Sequence, residues 1–153
     1  MATEAQERVA EDIGRLLAQA GAVLVCGGMT GVMEAACKGA QEEGGATVGL
    51  LPGEDRAQAN AYVSVALPTG LGEMRNALIV RAADAVIALA GEYGTLSEIA
   101  LALKTGVPVV GVETWDLERG PPGAIERATS PAQAVESALR LARGSTGSVS
   151  APP

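Results

Sequence analysis

The stretch Ala85-Val86-Ile87-Ala88-Leu89-Ala90-Gly91-Glu92-Tyr93-Gly94-Thr95-Leu96-Ser97-Glu98 decides how this chain is organised. Its first five residues form a continuous apolar run of strand length, and Leu96 to Thr105 carries helical spacing. A buried strand thus empties through two glycines into the start of a helix. That arrangement aims backbone N–H groups and the positive end of a helix dipole at one point, which favours an anion such as a phosphate. Glu98 falls one turn into the helix, within reach of whatever the phosphate carries. A second unit of the same type, Val23-Leu24-Val25-Cys26-Gly27-Gly28-Met29-Thr30-Gly31, occurs earlier.

Working outward, Glu4 to Ala20 places Val9, Ile13, Leu16, Leu17 and Ala20 on one helical face, and Gly21 ends that helix. Short apolar runs at Ala22–Cys26, Ala46–Leu51, near Tyr62–Leu67, Ala85–Leu89 and Val107–Val112 predict buried parallel strands. Helices are predicted from about Gly31 to Glu43, from Glu73 to Ala83, from Leu96 to Thr105, and from a Ser130-Pro131 cap pair to about Arg143. Strands alternating with helices give an α/β three-layer sandwich with a mostly parallel sheet, whose ligands gather at the carboxyl ends of the strands. All the glycine loops fall on that edge. One domain over residues 1–143 is expected, with 144–153, rich in Ser, Gly and Pro, as a disordered tail. The usual first strand is lacking, because the sequence opens directly on a helix. Either the sheet is rearranged or the natural start lies further upstream.

Composition narrows the chemistry. The 153 residues suffice for one domain with a real core, and with aromatics at 2% and no Phe that core must be built from Ala, Val and Leu. A net charge of -7 argues against a nucleic-acid surface, which needs clustered Lys and Arg. A small anion can still be held by backbone amides and one Arg. Cys26 and Cys37 lack metal-ligand spacing and read as buried thiols of a cytoplasmic protein. The acidic, polar start is unlike a signal peptide, and no apolar stretch reaches the roughly 20 residues of a membrane span. The absence of histidine removes Ser-His-Asp and Cys-His triads and His-ligated zinc. Carboxylates and Arg are left to do any acid–base work, and no metal site is expected.

The candidate ligand residues follow. Gly91, Gly94 and Thr95 supply the phosphate loop, while Gly27 and Gly28, Thr69 and Gly70 supply two more glycine turns. Arg75 and Asn76 open a helix otherwise made of Ala, Leu, Ile and Val, where an Arg needs a partner and offers a fork matched to phosphate. Each has a plainer alternative: glycines that merely turn the chain, Glu98 as a first-turn dipole partner, Arg75 solvated on an outer face. The Glu42-Glu43 and Glu54-Asp55 pairs read as solvated charges.

Several ordered motifs together resemble the LOG (Lonely guy) superfamily, Rossmann-like proteins once labelled lysine decarboxylases. They are Gly27-Gly28-x-x-Gly31-Val32-Met33-Glu34-Ala35-Ala36, Leu51-Pro52-Gly53 with Asn60, Pro68-Thr69-Gly70 with Met74-Arg75-Asn76, and Gly94-Thr95-Leu96-Ser97-Glu98-Ile99-Ala100-Leu101-Ala102. The likeness runs from about Glu11 to Val112. It implies a nucleoside 5′-monophosphate phosphoribohydrolase, with Glu98 and Arg75 as the catalytic pair. The family loop reads Pro-Gly-Gly-x-Gly-Thr-x-x-Glu with an Arg-Lys pair; here Ala90-Gly91-Glu92 and Asn76 replace the Pro-Gly-Gly and the Lys. Those departures make it resemble more closely the molybdenum-cofactor-carrier-like branch, whose members bind a phosphorylated pterin and need not catalyse anything. A pyridoxal-phosphate decarboxylase is set aside, since Lys38 and Lys104, the two lysines, stand far from the glycine loops.

Two functions therefore compete for one pocket. One is hydrolysis of an N-glycosidic bond, with Glu98 stabilising positive charge on the ribose or activating water. The other is a carrier for a molybdopterin-type ligand. A scaffold with a vestigial pocket is a third. No cofactor is required beyond the bound ligand, and neither nucleic acid nor membrane is an expected partner. The resemblance also implies a homodimer, for which the apolar stretches Ala77–Ala83 and Ile99–Leu103 are the candidate faces.

Overall fold

The computed structural model describes residues 2–145. Five helices and six strands follow in the order α1 (Glu4–Gln19), β1 (Leu24–Cys26), α2 (Val32–Glu42), β2 (Thr47–Leu51), β3 (Val65–Pro68), α3 (Asn76–Ala82), β4 (Val86–Leu89), α4 (Tyr93–Thr105), β5 (Val109–Val112), β6 (Ile125–Arg127) and α5 (Pro131–Ser145). Every strand pairing is parallel. The pairings make two three-stranded sheets, ordered β1-β2-β3 and β4-β5-β6, with β1 and β4 each left as an edge. The chain therefore steps outward from β1 to β3, returns, and steps outward again from β4 to β6.

Local chemistry sets the element ends. Thr3 and Gln6 form a reciprocal capping box at the start of α1, with Gln6 N–H donating to Thr3 Oγ1 at 3.2 Å and Thr3 N–H donating to Gln6 Oε1 at 2.9 Å. Ser130 caps α5 as expected, accepting from Gln133 N–H at 3.2 Å. That helix continues through Ser145, two residues past its expected end. Residues 146–153, most of the expected tail, lie outside the described residues.

Three features differ from the sequence reading. The helix expected from Glu73 begins as a 3₁₀ turn, Gly72–Arg75, and only then becomes α3. Helix α4 starts at Tyr93, three residues early, because Glu92 already accepts the first helical bond from Leu96 N–H. Strand β6 was not anticipated, since Ile125-Glu126-Arg127 carries one apolar residue and no periodic signal.

Helices α1 and α2 meet backbone to backbone. A β-carbon on Gly14 would lie 1.9 Å from the Ala36 carbonyl oxygen, and one on Gly39 would lie 1.9 Å from that of Glu11. Only glycine permits that approach. Around it Lys38 bridges to Glu11 at 3.0 Å, and Arg15 bridges to Glu42 at 3.2 Å. The second sheet is packed on both faces. Ile13 of α1 joins Val110, Val112, Ala134, Val135 and Ala138 on one side, while Val80, Ile99 and Ala102 cover Ala88 and Val109 on the other. Ile99 and Ala102 are thus taken up by the chain's own core, and the stretch Ile99–Leu103 is only in part available to a twin.

Candidate functional site

The carboxyl ends of β1 and β4 open into one cavity of about 1570 Å³. It lies where the chain's progression reverses, at a topological switch point, the place where open parallel sheets bind ligands. The β1 side contributes Gly27 and the β4 side contributes Gly91, Gly94, Thr95 and Glu98, with Arg75 and Asn76 between them.

The β4 loop is shaped by unusual backbone. Ala90 sits at φ +50° and Gly91 at φ +124°, a conformation that glycine alone adopts without cost. A β-carbon on Gly91 would also press on the Thr95 side chain at 2.5 Å. Ala90 is held in place on both sides: its N–H donates to Val112 O at 3.0 Å, and its carbonyl accepts from Thr114 Oγ1. Helix α4 follows with no side-chain cap at Glu92, and Gly94 and Thr95 of its first turn, where helical N–H groups lack intrahelical partners, line the cleft. Glu92 itself is exposed at the rim. Ser97 Oγ donates to Gly94 O at 2.7 Å and fixes the turn.

The β1 loop is bare for a different reason. A β-carbon on Gly27 would fall 2.2 Å from Arg75 Nη1 and 2.6 Å from Cζ, so the guanidinium lies directly over the Gly27 backbone. Arg75 Nε is buried without a hydrogen-bond partner among the described residues. A buried, orphaned donor on a half-buried cation is costly unless a ligand completes it. Burial in the cleft raises the Glu98 carboxyl above its ordinary range, and the Arg75 charge works against that rise. The pair thus holds a cation with free donor capacity next to a carboxyl that keeps its proton to higher pH than usual.

Not every candidate lines the cleft. Gly28 packs downward, where a β-carbon would strike Leu51 Cδ2 at 2.8 Å and Gly49 Cα at 3.0 Å. Thr69 and Gly70 follow β3, the far strand of the first sheet, and Thr69 Oγ1 spends its proton on Leu51 O at 2.7 Å. Asn76 does line the cleft, but it is mostly buried and its Nδ2 donates to Ser97 Oγ at 3.0 Å, tying α3 to α4.

Other residues that were not among the candidate ligand residues support the site. Asn60 clamps the β1 loop: its N–H donates to Gly28 O at 2.8 Å, its Nδ2 donates to Met29 O at 2.9 Å, and its Oδ1 accepts from Tyr62 N–H at 3.0 Å. Trp115 Nε1 donates to Glu92 O at 3.2 Å and its ring stands 5.8 Å from that of Tyr93. Thr114-Trp115 directly follows β5, whose carboxyl end must abut the β4 loop; that position was the available signal. Beneath Gly27 the Cys26 and Cys37 sulfurs lie 3.5 Å apart. The contact between the two thiols lowers the Cys26 pKa and raises that of Cys37, with burial adding to the rise at Cys37. Among the described residues no cluster of acidic or thiol groups is placed to hold a metal, and no helix is long and apolar enough to cross a membrane.

The fold and cleft define a doubly wound α/β protein of the Rossmann-like kind, with its ligand cleft at the switch point. The chain belongs to the SLOG cluster4 family, whose profile matches residues 1–140. It is 43% identical over 106 residues, 69% of this chain and 70% of the relative, to an uncharacterized protein of Archaeoglobus fulgidus. Among solved structures it is similar to the molybdenum cofactor binding protein of Rippkaea orientalis, with 36% identity, a TM-score of 0.85, and coverage of 92% of this chain and 90% of that one. It is also similar to the molybdenum cofactor carrier protein of Chlamydomonas reinhardtii, with 32% identity, a TM-score of 0.82, and coverage of 94% and 91%.

Proposed function

We propose that the cleft binds a phosphorylated pterin of the molybdenum-cofactor type and releases it unchanged, so that the protein is a carrier. The observation that carries this reading is the likeness, across nine-tenths of the chain, to proteins named for binding or carrying that cofactor. The site is suited to the task. The α4 amides and the Arg75 donors take the phosphate, and the raised carboxyl of Glu98 stays clear of anionic repulsion over a wider pH range. Saturable binding of a phosphorylated pterin, abolished in Arg75→Ala and leaving the ligand intact over long incubation, is the expected result. Equal affinity for the unphosphorylated pterin would overturn it.

Hydrolysis of a nucleoside 5′-monophosphate is the second reading, favoured by Glu98 beside Arg75 at the end of the phosphate loop. Its test is release of ribose 5-phosphate from a panel of nucleoside monophosphates. Release that disappears in Glu98→Gln while affinity persists would establish it, and no release from folded protein would end it. In either case the described chain acts as one domain. We further propose a homodimer formed through the exposed apolar surface at Met74, Leu78 and Tyr93, of which Tyr93 is 80% exposed. A monomeric mass in solution would exclude that assembly.

A further inference from the structure

Beneath the β1 loop stands a pair of thiols that neither reading of the cleft employs. Cys26 is the last residue of β1 and lines the cavity, whereas Cys37 lies midway along α2 and is fully buried. Their sulfurs are 3.5 Å apart and unbonded. Cys26 Sγ also accepts from Gly28 N–H at 3.3 Å, so the sulfur is tied to the loop that follows it.

The two thiols differ in the way a two-step oxidation requires. Such a reaction starts at an accessible, readily ionised sulfur, and a neighbouring thiol then converts the product into a disulfide. Cys26 is half-buried on the cavity wall, and contact with the Cys37 sulfur, the Gly28 N–H and the Arg75 charge favour its thiolate against burial. Cys37 is sealed from solvent, keeps its proton, and already touches the sulfur it would attack.

A disulfide holds its sulfurs at about 2.05 Å, so closure from 3.5 Å takes about 1.5 Å of movement. Helix α2 is poorly placed to supply it, because Gly39 and Ala36 on either side of Cys37 lie against the α1 backbone. The movement falls instead on Cys26 and the glycines after it, with the Arg75 guanidinium resting on Gly27. We propose that Cys26 and Cys37 form a reversible oxidation site, closed to a disulfide by a peroxide and reopened by a small thiol, whose bond pins the β1 loop to α2.

The chemistry balances within the pair. The Cys26 thiolate attacks one peroxide oxygen, the O–O bond breaks, and the leaving hydroxide takes up a proton as water. The Cys37 sulfur then attacks the Cys26 sulfenic acid, the S–O bond breaks, and the hydroxide leaves with the Cys37 proton as a second water. Both sulfurs are oxidised by one electron each and the peroxide is reduced by two. Two equivalents of a small thiol reverse the bond and leave as their own disulfide. None of this depends on which ligand the cleft takes.

The test treats the folded full chain with one equivalent of hydrogen peroxide, removes the excess with catalase, unfolds the chain in urea and labels the remaining thiols with iodoacetamide. Cleavage after Arg15 and Lys38 puts both cysteines on one peptide, residues 16–38. Both thiols should be lost together, leaving that peptide about 2 Da lighter, and dithiothreitol should restore both. Closure should run about ten-fold faster in the folded chain than in urea, and Cys26→Ala should keep its Cys37 thiol throughout. Amides of residues 27–31 should exchange about ten-fold more slowly in the oxidised chain, with residues 69–71 unchanged. Loss of a single thiol would overturn the proposal, as would loss that dithiothreitol does not restore, two chains linked through sulfur, or equal rates in urea. Unchanged exchange at residues 27–31 would overturn the hold of the bond on the loop.

Discussion

Two glycine-to-alanine substitutions of identical chemistry separate binding from stability in this protein. In Gly27→Ala the new methyl group meets the Arg75 guanidinium at 2.2 Å, where ordinary contact begins at 3.4 Å. The head group must therefore withdraw by about 1.2 Å, and a hydrogen bond stretched by that much is no longer one. Because the guanidinium is the free end of a long side chain, moving it costs stability little, under ~1 kcal/mol. Loss of a charge-assisted hydrogen bond costs about 1.5–3 kcal/mol, or roughly a ten- to hundred-fold weaker Kd. In Gly39→Ala the methyl meets the Glu11 carbonyl oxygen at 1.9 Å and its carbon at 2.8 Å. Backbone cannot swing aside, so α1 and α2 must part, at a cost of about 1–3 kcal/mol or more that exceeds alanine's helix propensity of roughly 1 kcal/mol. Urea denaturation and calorimetric titration with a phosphorylated pterin on both variants give the four numbers needed. Gly27→Ala should unfold like the parent and bind weakly, whereas Gly39→Ala should unfold early and, where folded, bind normally. Parental affinity in folded Gly27→Ala would refute the placement of the guanidinium on the anion, and equal destabilisation by both would refute its mobility.

Further expectations concern protons, thiols and the loop clamp. Burial lifts the Glu98 carboxyl above its ordinary 4.5, so between that pH and its folded value the native state holds a proton that the unfolded chain has lost. Stability should fall as pH rises through that window and stay lower above it. Glu98→Gln should then be more stable than the parent at pH 7 and equal to it at pH 4, and matching urea midpoints at both values would refute the assignment. Of the two cysteines, Cys26 should be alkylated first by iodoacetamide, since it holds the lower pKa and Cys37 is fully buried. Peptide mass spectrometry reads the order, and Cys37→Ala should slow the reaction at Cys26 by removing the sulfur contact that lowers its pKa. Asn60→Ala leaves Met29 O and Tyr62 N–H without their side-chain partner and should cost about 1–3 kcal/mol. Faster hydrogen exchange confined to the Gly27–Gly31 loop and its neighbours would accompany it.

Much of this was legible along the chain because the decisive signals are local. An apolar run ending in glycine marks a strand end at Cys26 and at Leu89 wherever the strands lie in the sheet, and the i, i+3, i+4 spacing of α1 needs no partner to be read. Positions that depend on strand order were not legible. Thr69-Gly70 has the same composition as the other glycine turns, yet β3 lies two strands away from the cleft, and no local feature encodes that distance. Asn76 looks like Arg75's companion in sequence, but one step around the helix turns it inward onto Ser97. Glycines proved to serve two ends that sequence does not distinguish. Gly27 and Gly91 make room for side chains of the cleft, Arg75 and Thr95, whereas Gly14 and Gly39 make room for the backbone of a neighbouring helix.

The division of the sheet gives the cleft a mechanical character. Gly27 belongs to one half of the molecule and Gly91 to the other, while α1 and α3 cross between the halves as straps. A ligand touching both loops would act as a rivet, and part of its binding energy would be spent on holding the halves in register. Affinity here would therefore be a property of the whole assembly. Loosening a strap at Ile13 or Val80, neither of them a contact of the phosphate, would speed the ligand's departure.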